Sequence, residues 1–288
     1  MSTAGARRKL ARLRQYPEDV FWGGMKYGFL LFLISIILGP YLIVLATSFK
    51  TPMQIFGSGS GALIPSEPTL ENWTTAFTQL QGPLLNSFII ALGTMVIALV
   101  ITIPGAYAFG RKEFPGKLWG FYGIVTALLF PYVVLVAPLS SLWLDLDLYN
   151  SIPGLWLAYQ IFVAPFAIWI LRDFFEKLPA NLEEAAQVYG CSQFTAFVRV
   201  ILPLSAPAIA AVGFLSFLTA WNDFLFSSVL TSSQGPQPAV VILYLTISGG
   251  SGERVFWGLL MAQTLIIGTP PLVLYLFARR RITNAFAV

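Results

Sequence analysis

The sequence predicts an all-α integral membrane protein of six transmembrane helices, with the N- and C-termini cytoplasmic. Three observations lead there. The 288 residues are 57% hydrophobic and 10% charged, with a mean hydropathy of +0.75, whereas a soluble domain carries about 25% charge. Six apolar runs are long enough to cross the hydrocarbon core at about 1.5 Å of rise per residue. The basic residues fall on one side of the resulting topology. With the N-terminus inside, that side receives Arg7, Arg8, Lys9, Arg12, Arg14, Lys26, Arg111, Lys112, Lys117, Arg172, Lys177, Arg199, Arg279, Arg280 and Arg281; the other receives Lys50 and Arg254. The net charge of +4 therefore reports membrane topology, and nucleic acid is not an expected partner.

The chain opens on a polar arm in which Ala6 to Gln15 can form a basic helix on the membrane surface. An apolar run from Tyr27 to Thr47 follows without a small-residue cleavage site, so it reads as an uncleaved first span. Ser48 to Pro83 is polar, with a flexible stretch from Gly57 to Gly61. Within it, Thr69 is placed to cap a short helix, with Glu71 in its first turn, and Trp73 and Phe77 share a face suited to a membrane interface. The second span runs from about Leu84 to Phe109, with Pro104 and Gly105 loosening its end. The third runs from Leu118 to Leu139 around Pro131, and the fourth from Ile152 to Leu171 around Pro165. The fifth runs from Ala206 to Leu230, and the sixth from Val255 to Ala278 with Pro270 and Pro271. Proline and glycine inside these spans mark kinks along a path, or reflect their ordinary frequency in membrane helices.

Several chemistries are excluded. The chain has no histidine and one cysteine, Cys191, so it lacks disulfide frameworks, Cys/His zinc sites and Ser-His or Cys-His pairs. No phosphate-binding or dinucleotide-binding glycine pattern occurs. No catalytic residue and no metal site is expected. Of the carboxylates only Asp223, in the run Trp221-Asn222-Asp223-Phe224, falls inside a predicted span. An ion-coupled carrier shows several buried ionisable groups, so energy is expected to enter from elsewhere. Asp223 has two readings: a polar contact for a hydroxyl-bearing substrate, with Trp221 and Asn222 beside it, or an interfacial carboxylate that reaches water or caps a helix. Trp221 reads as an interfacial anchor ahead of a stacking platform.

The segment 178–207 interrupts the apolar chain on the cytoplasmic side. Asn181 is a good helix N-cap, and Leu182, Ala185, Ala186 and Tyr189 recur on one helical face, with Glu183, Glu184 and Gln187 opposite. Gly190 sits where a helix stops in a left-handed residue. Ser192 can cap a second helix, on which Phe194, Phe197, Val198 and Ile201 repeat the spacing; Pro203 and Pro207 end it. This helix-turn-helix either docks into a groove on a partner or forms a rigid loop packed on the bundle. Glu184 lies three residues after Asn181, where a carboxylate can close a capping box.

These residues resemble a known family. Glu184-Ala185-Ala186 with Gly190, followed by Ile201-Leu202-Pro203, is similar to the EAA loop of ABC-importer permease subunits. Thr69 to Trp73, Asn86-Ser87, Ala106 to Arg111 with Phe114 to Gly116, Ala164 to Phe166 and Trp221-Asn222 are similar to segments of its carbohydrate-uptake, maltose-type branch.

The resemblance implies a type I ABC importer permease fold in a prokaryotic cytoplasmic membrane. It divides the chain into a cytoplasmic basic arm (1–24), a first helix with outer loop (25–83), a permease core (84–282) holding the coupling loop (178–207), and a tail (283–288). It implies a second permease subunit in a heterodimer, two ATPase subunits that carry ATP and Mg, and an extracytoplasmic binding protein that delivers a sugar. No cofactor is expected on this chain itself. Glu184, Ala185, Ala186, Gly190, Leu202 and Pro203 become the ATPase-coupling positions. ATPase closure moves the coupling helix and switches the bundle between inward- and outward-facing states. The family's usual acidic residue is replaced by Tyr189, whose ring extends the apolar face, and Cys191 follows Gly190 as a small packed residue. The alternatives are an importer permease for another solute, such as a glycerophosphate-type polyol derivative, or a self-contained ion-coupled carrier.

Overall fold

The computed structural model describes residues 17–57, 64–179, 181–249 and 256–285. The basic residues Arg7 to Arg14, most of the Gly-Ser stretch, Glu253 and Arg254, and the end of the tail lie outside the described residues. Among the described residues, four helices are long and apolar enough to cross a membrane, and two bent helix pairs raise the number to as many as six.

The chain divides into two compact units. The first comprises residues 1–73 and 257–262. It contains α1 (Pro17–Ser48) and α2 (Pro52–Phe56). Thr51 and Gln54 close a reciprocal capping box on α2. The ring of Trp73 stacks on Phe49 at 5.5 Å and its indole N–H donates to Ser48 Oγ at 3.2 Å. Asn72 Nδ2 donates to the carbonyls of Ser48 (3.0 Å) and Lys50 (2.9 Å), receiving the chain as it leaves α1.

The second unit, residues 74–256 and 263–288, holds the bundle. Its elements include most of α3 (Glu71–Arg111), α4 (Lys117–Leu129), α5 (Tyr132–Asp145) and α6 (Ile152–Lys177). After these come α7 (Asn181–Val188), α8 (Gln193–Leu204), α9 (Ala206–Asn222), α10 (Leu225–Leu230) and α11 (Ala239–Ser248). The main part of α12 (Trp257–Ala285) completes the unit. Thr69 Oγ1 accepts from the Glu71 amide, as a cap should. The helix it starts is not short, however: α3 continues through Pro83, Pro104 and Gly105 without a break. A ten-residue apolar helix, α11, was not foreseen; it is too short to register as a span.

Small side chains decide how α3 packs. Ala91, Thr94, Ala98, Thr102 and Ala106 are fully buried at three- or four-residue spacing, a stripe that lets another helix approach closely. The stripe serves α6, whose Leu155, Ala158, Tyr159, Val163, Ala167, Leu171 and Phe175 are buried in turn. At Gly93 the approach is closest: a Cβ there would lie 2.2 Å from the Trp156 ring. That ring is tied by its N–H to the Ile89 carbonyl at 3.2 Å. Gly93→Ala is therefore expected to lower stability by roughly 1–3 kcal/mol through overpacking, read as earlier thermal unfolding in detergent. Unchanged unfolding would show that Trp156 can swing away.

Two of the predicted spans are broken. At Pro131 the axis turns by 89° between α4 and α5. Proline has no amide to donate and drives the preceding residue out of the helical region, and Phe130 is extended (φ −77°, ψ 130°). The fifth span is α9 alone, ending at Asn222; Asp223 is extended (φ −71°, ψ 128°) before α10 begins. Asp223 thus sits at a helix break, where the sequence suggested an unbroken span. A 73° turn separates α8 from α9 at Ser205, between Pro203 and Pro207.

Candidate functional site

Two places in the second unit hold the candidate residues singled out from the sequence. The first is the helix pair α7–α8. α7 ends as the sequence predicts. Gly190 takes φ +85°, its amide donates to Gln187 O at 2.9 Å, and the Cys191 amide donates to Ala186 O at 3.0 Å. These are the two bonds of a Schellman termination, which needs a residue without a Cβ penalty in the left-handed region. Ser192 then caps α8, its Oγ accepting from the Thr195 amide at 3.2 Å. A π-helical stretch, Phe197–Ile201, lies inside α8.

The pair is anchored on one side and bare on the other. Leu182, Phe197 and Ile201 pack with Tyr107, Leu171 and Phe175 into a core at this end of the bundle, and Ala186 is buried as well. Ala185, Val188, Tyr189 and Phe194 point away from it; Tyr189 is 88% exposed and Phe194 75%. The buried face of α7 is therefore narrower than its periodicity implied, and Tyr189 does not extend it. Glu183, expected opposite the apolar face, turns inward instead. Its Oε1 pairs with Arg111 Nε at 2.9 Å and its Oε2 accepts from Tyr107 OH at 3.2 Å. Glu184 is exposed and makes no hydrogen bond or ion pair among the described residues. α7 begins at Asn181 itself, so the reciprocal box between Asn181 and Glu184 is not formed.

The second place is the break after α9. Asp223 Oδ2 accepts from Tyr159 OH and from the Ser227 amide, both at 3.0 Å, while Ser227 Oγ donates to Asp223 O at 2.9 Å. The carboxylate thus caps α10 and satisfies a hydroxyl on fully buried Tyr159. Beside it opens a cavity of about 590 Å³, lined by Tyr132, Phe162, Leu218, Thr219, Asn222, Asp223 and Phe224 among others. A second cavity of about 310 Å³ shares Tyr132, Phe162 and Thr219 with it.

The family of binding-protein-dependent transport system inner membrane components matches residues 103–285, more than half of the chain. The chain belongs to that family. It is a multi-pass membrane permease subunit of an ABC importer, a transport protein and not an enzyme. It is 35% identical over 245 residues to the trehalose transport system permease protein SugB of Mycobacterium tuberculosis, covering 84% of this chain and 88% of that one. It is 30% identical over 282 residues to the diacetylchitobiose uptake system permease protein NgcG of Streptomyces coelicolor, covering 96% and 91%. Its fold is similar to a chain of a bacterial ABC transporter involved in the import of the acidic polysaccharide alginate. The TM-score is 0.77 at 19% identity, over 91% of this chain and 96% of that chain.

In this permease the six loop positions singled out from sequence fall on α7, α8 and the turn between them. Ala186 is buried, Glu184, Ala185 and Gly190 are exposed, and Leu202 and Pro203 lie in the last turn of α8. Asn222 and Asp223 line the larger cavity. Trp221 does not. It is 2% exposed, stacks on Phe217 at 5.5 Å and donates its N–H to Ile267 O at 3.3 Å, so it is a core residue and not an interfacial anchor. Sequence reasoning missed Tyr107 and Arg111 as partners of α7, and Tyr132 and Phe162 as cavity walls. For Tyr107 and Arg111 the signal was present, inside the Ala106–Arg111 segment that resembles the family pattern. For Phe162 there was none.

Proposed function

We propose that this permease imports a saccharide, and that α7–α8 is the joint through which partner ATPase subunits drive it. On this reading α7–α8 and both termini face the cytoplasm, as the distribution of lysine and arginine requires. The working assembly has this chain, a second and different permease subunit, two ATPase subunits holding ATP and Mg, and an extracytoplasmic binding protein that hands over the sugar. Glu184, Ala185, Gly190 and the exposed Tyr189 and Phe194 meet the ATPase, while buried Ala186 helps seat the pair on the bundle and Leu202 and Pro203 close the coupling segment. Asn222 and Asp223 edge the solute path.

The observation that carries the coupling role is the two-sidedness of α7–α8. One face is packed into the bundle, and the opposite face bares Val188, Tyr189 and Phe194. An aromatic residue left exposed at the tip of a capped, rigid turn suits a groove on another protein. The saccharide assignment draws support from relatives named for trehalose and diacetylchitobiose uptake, and from a cavity that combines aromatic walls with amide and carboxylate groups.

The test is reconstitution in liposomes. The full assembly with its binding protein is expected to accumulate one member of a saccharide panel in an ATP-dependent manner. A cysteine placed at Tyr189 is expected to crosslink to the ATPase. Solute movement by this chain alone would refute the importer mechanism in favour of a carrier. ATP-driven uptake of a polyol phosphate and no sugar would keep the mechanism and overturn the substrate.

A further inference from the structure

We infer that Arg111 is a positioning residue that fastens α7–α8 to the end of α3, so that a push on the pair moves α3 directly. The inference rests on the coupling role proposed above and adds which membrane helix receives the motion.

All three nitrogens of the Arg111 guanidinium are occupied. Nε pairs with Glu183 Oε1 at 2.9 Å, Nη1 donates to Leu178 O at 2.7 Å, and Nη2 donates to Pro179 O at 3.2 Å. The last two acceptors lie just past the C-terminus of α6, where backbone carbonyls have no helical partner. One side chain therefore holds the end of α6 and the first turn of α7 together. One turn back on α3, Tyr107 takes the second oxygen of Glu183. Its ring packs against Phe197 of α8 at 4.4 Å and against Phe175 of α6 at 5.9 Å. A single turn of α3 thus grips both helices of the pair.

The geometry is that of a fastening and not of an incidental surface pair. The Arg111 and Glu183 side chains are 9% and 13% exposed. Their removal from water is offset only while all partners stay in place. The planar guanidinium reaches three acceptors at once, which a lysine ammonium cannot reproduce. Arg111 and Glu183 are far apart in sequence, so this link is independent of the chain connections that join α7 to α6 and α8 to α9. Without it, α7–α8 would pass its motion to α3 only through the Tyr107–Glu183 hydrogen bond and apolar contact.

The experiment uses the complete transporter in proteoliposomes, with Cys191→Ser and nitroxide labels at the exposed positions Glu113 and Asn181. In the otherwise native protein the distance between the labels is expected to stay constant between the nucleotide-free and vanadate-trapped states. A change of several ångström would overturn the inference, and this measurement does not depend on how any Arg111 variant folds. Arg111→Gln and Glu183→Gln are each expected to broaden that distance and to lower uptake per ATP hydrolysed about tenfold, a typical coupling magnitude. Arg111→Lys is expected to fall between. Native uptake per ATP in Arg111→Gln, alongside a loss in Gly190→Val, would sink this inference alone. Native uptake per ATP in both would sink the coupling role of α7–α8.

Discussion

Replacing Gly190 with valine is expected to leave the permease in the membrane while uptake per ATP hydrolysed falls by about an order of magnitude. The reason is conformational. At φ +85° an L-residue pays roughly 1–2 kcal/mol for the left-handed region, and a β-branched one more. No atom beyond its two chain neighbours lies within 4 Å of where a Cβ would stand, so there is no clash to unfold the bundle. The strain is relieved by opening the Schellman turn, which carries Val188, Tyr189 and Phe194. Gly190→Asn is the control, because asparagine tolerates this region, and it should retain most uptake. Glu184→Gln separates the two roles of that residue. It is exposed and unpaired among the described residues, so a loss of coupling at native membrane levels points to a partner contact. A loss of membrane accumulation alone would return Glu184 to a purely structural role.

The second large effect is expected at Asp223. Asp223→Ala removes the acceptor for Tyr159 OH and for the Ser227 amide at once. Each stranded donor costs about 1–3 kcal/mol when buried, and Tyr159 is fully buried. Thermal unfolding in detergent should therefore show a loss of roughly 2–6 kcal/mol. Asp223→Asn keeps a carbonyl oxygen in place and should lose about 1 kcal/mol. Tyr159→Phe in the Asp223→Ala background should recover part of the loss, since the stranded hydroxyl is gone. An alanine variant as stable as the native protein would refute the capping role. Reduced uptake in a stable Asp223→Asn variant would instead locate a solute contact at the carboxylate.

The spans and the interrupting segment were legible because they depend on local quantities. Apolar length, proline position and the side on which arginines fall can be read without knowing what touches what. Pro131 is the clearest case, since the break follows from the missing amide and the restricted residue before it. The faces were less legible. The 3.6-residue pattern put Tyr189 on one face with Leu182 and Ala186, and Glu183 on the opposite one, without saying which face meets the bundle. It could not register an arginine far away in the sequence at the end of α3, whose charge makes burial of Glu183 favourable. Trp221 misled for a related reason. A tryptophan near a helix end reads as an interfacial residue until the Ile267 carbonyl that receives its N–H is known. The length of α3 was hidden by threonine and glutamine between Glu71 and Pro83, which look like loop by composition.

The break at Asp223 has a consequence for how such a permease changes its diet. Asp223 lines the larger cavity while its carboxylate holds the backbone of α10 and the hydroxyl of Tyr159. A residue with two duties is a poor place to retune selectivity, because every substitution disturbs the scaffold along with the lining. Thr219, Asn222, Tyr132 and Phe162 face the same space without serving as that cap. A laboratory selection for a new solute should therefore accumulate its first changes at those four positions and keep Asp223 to the end.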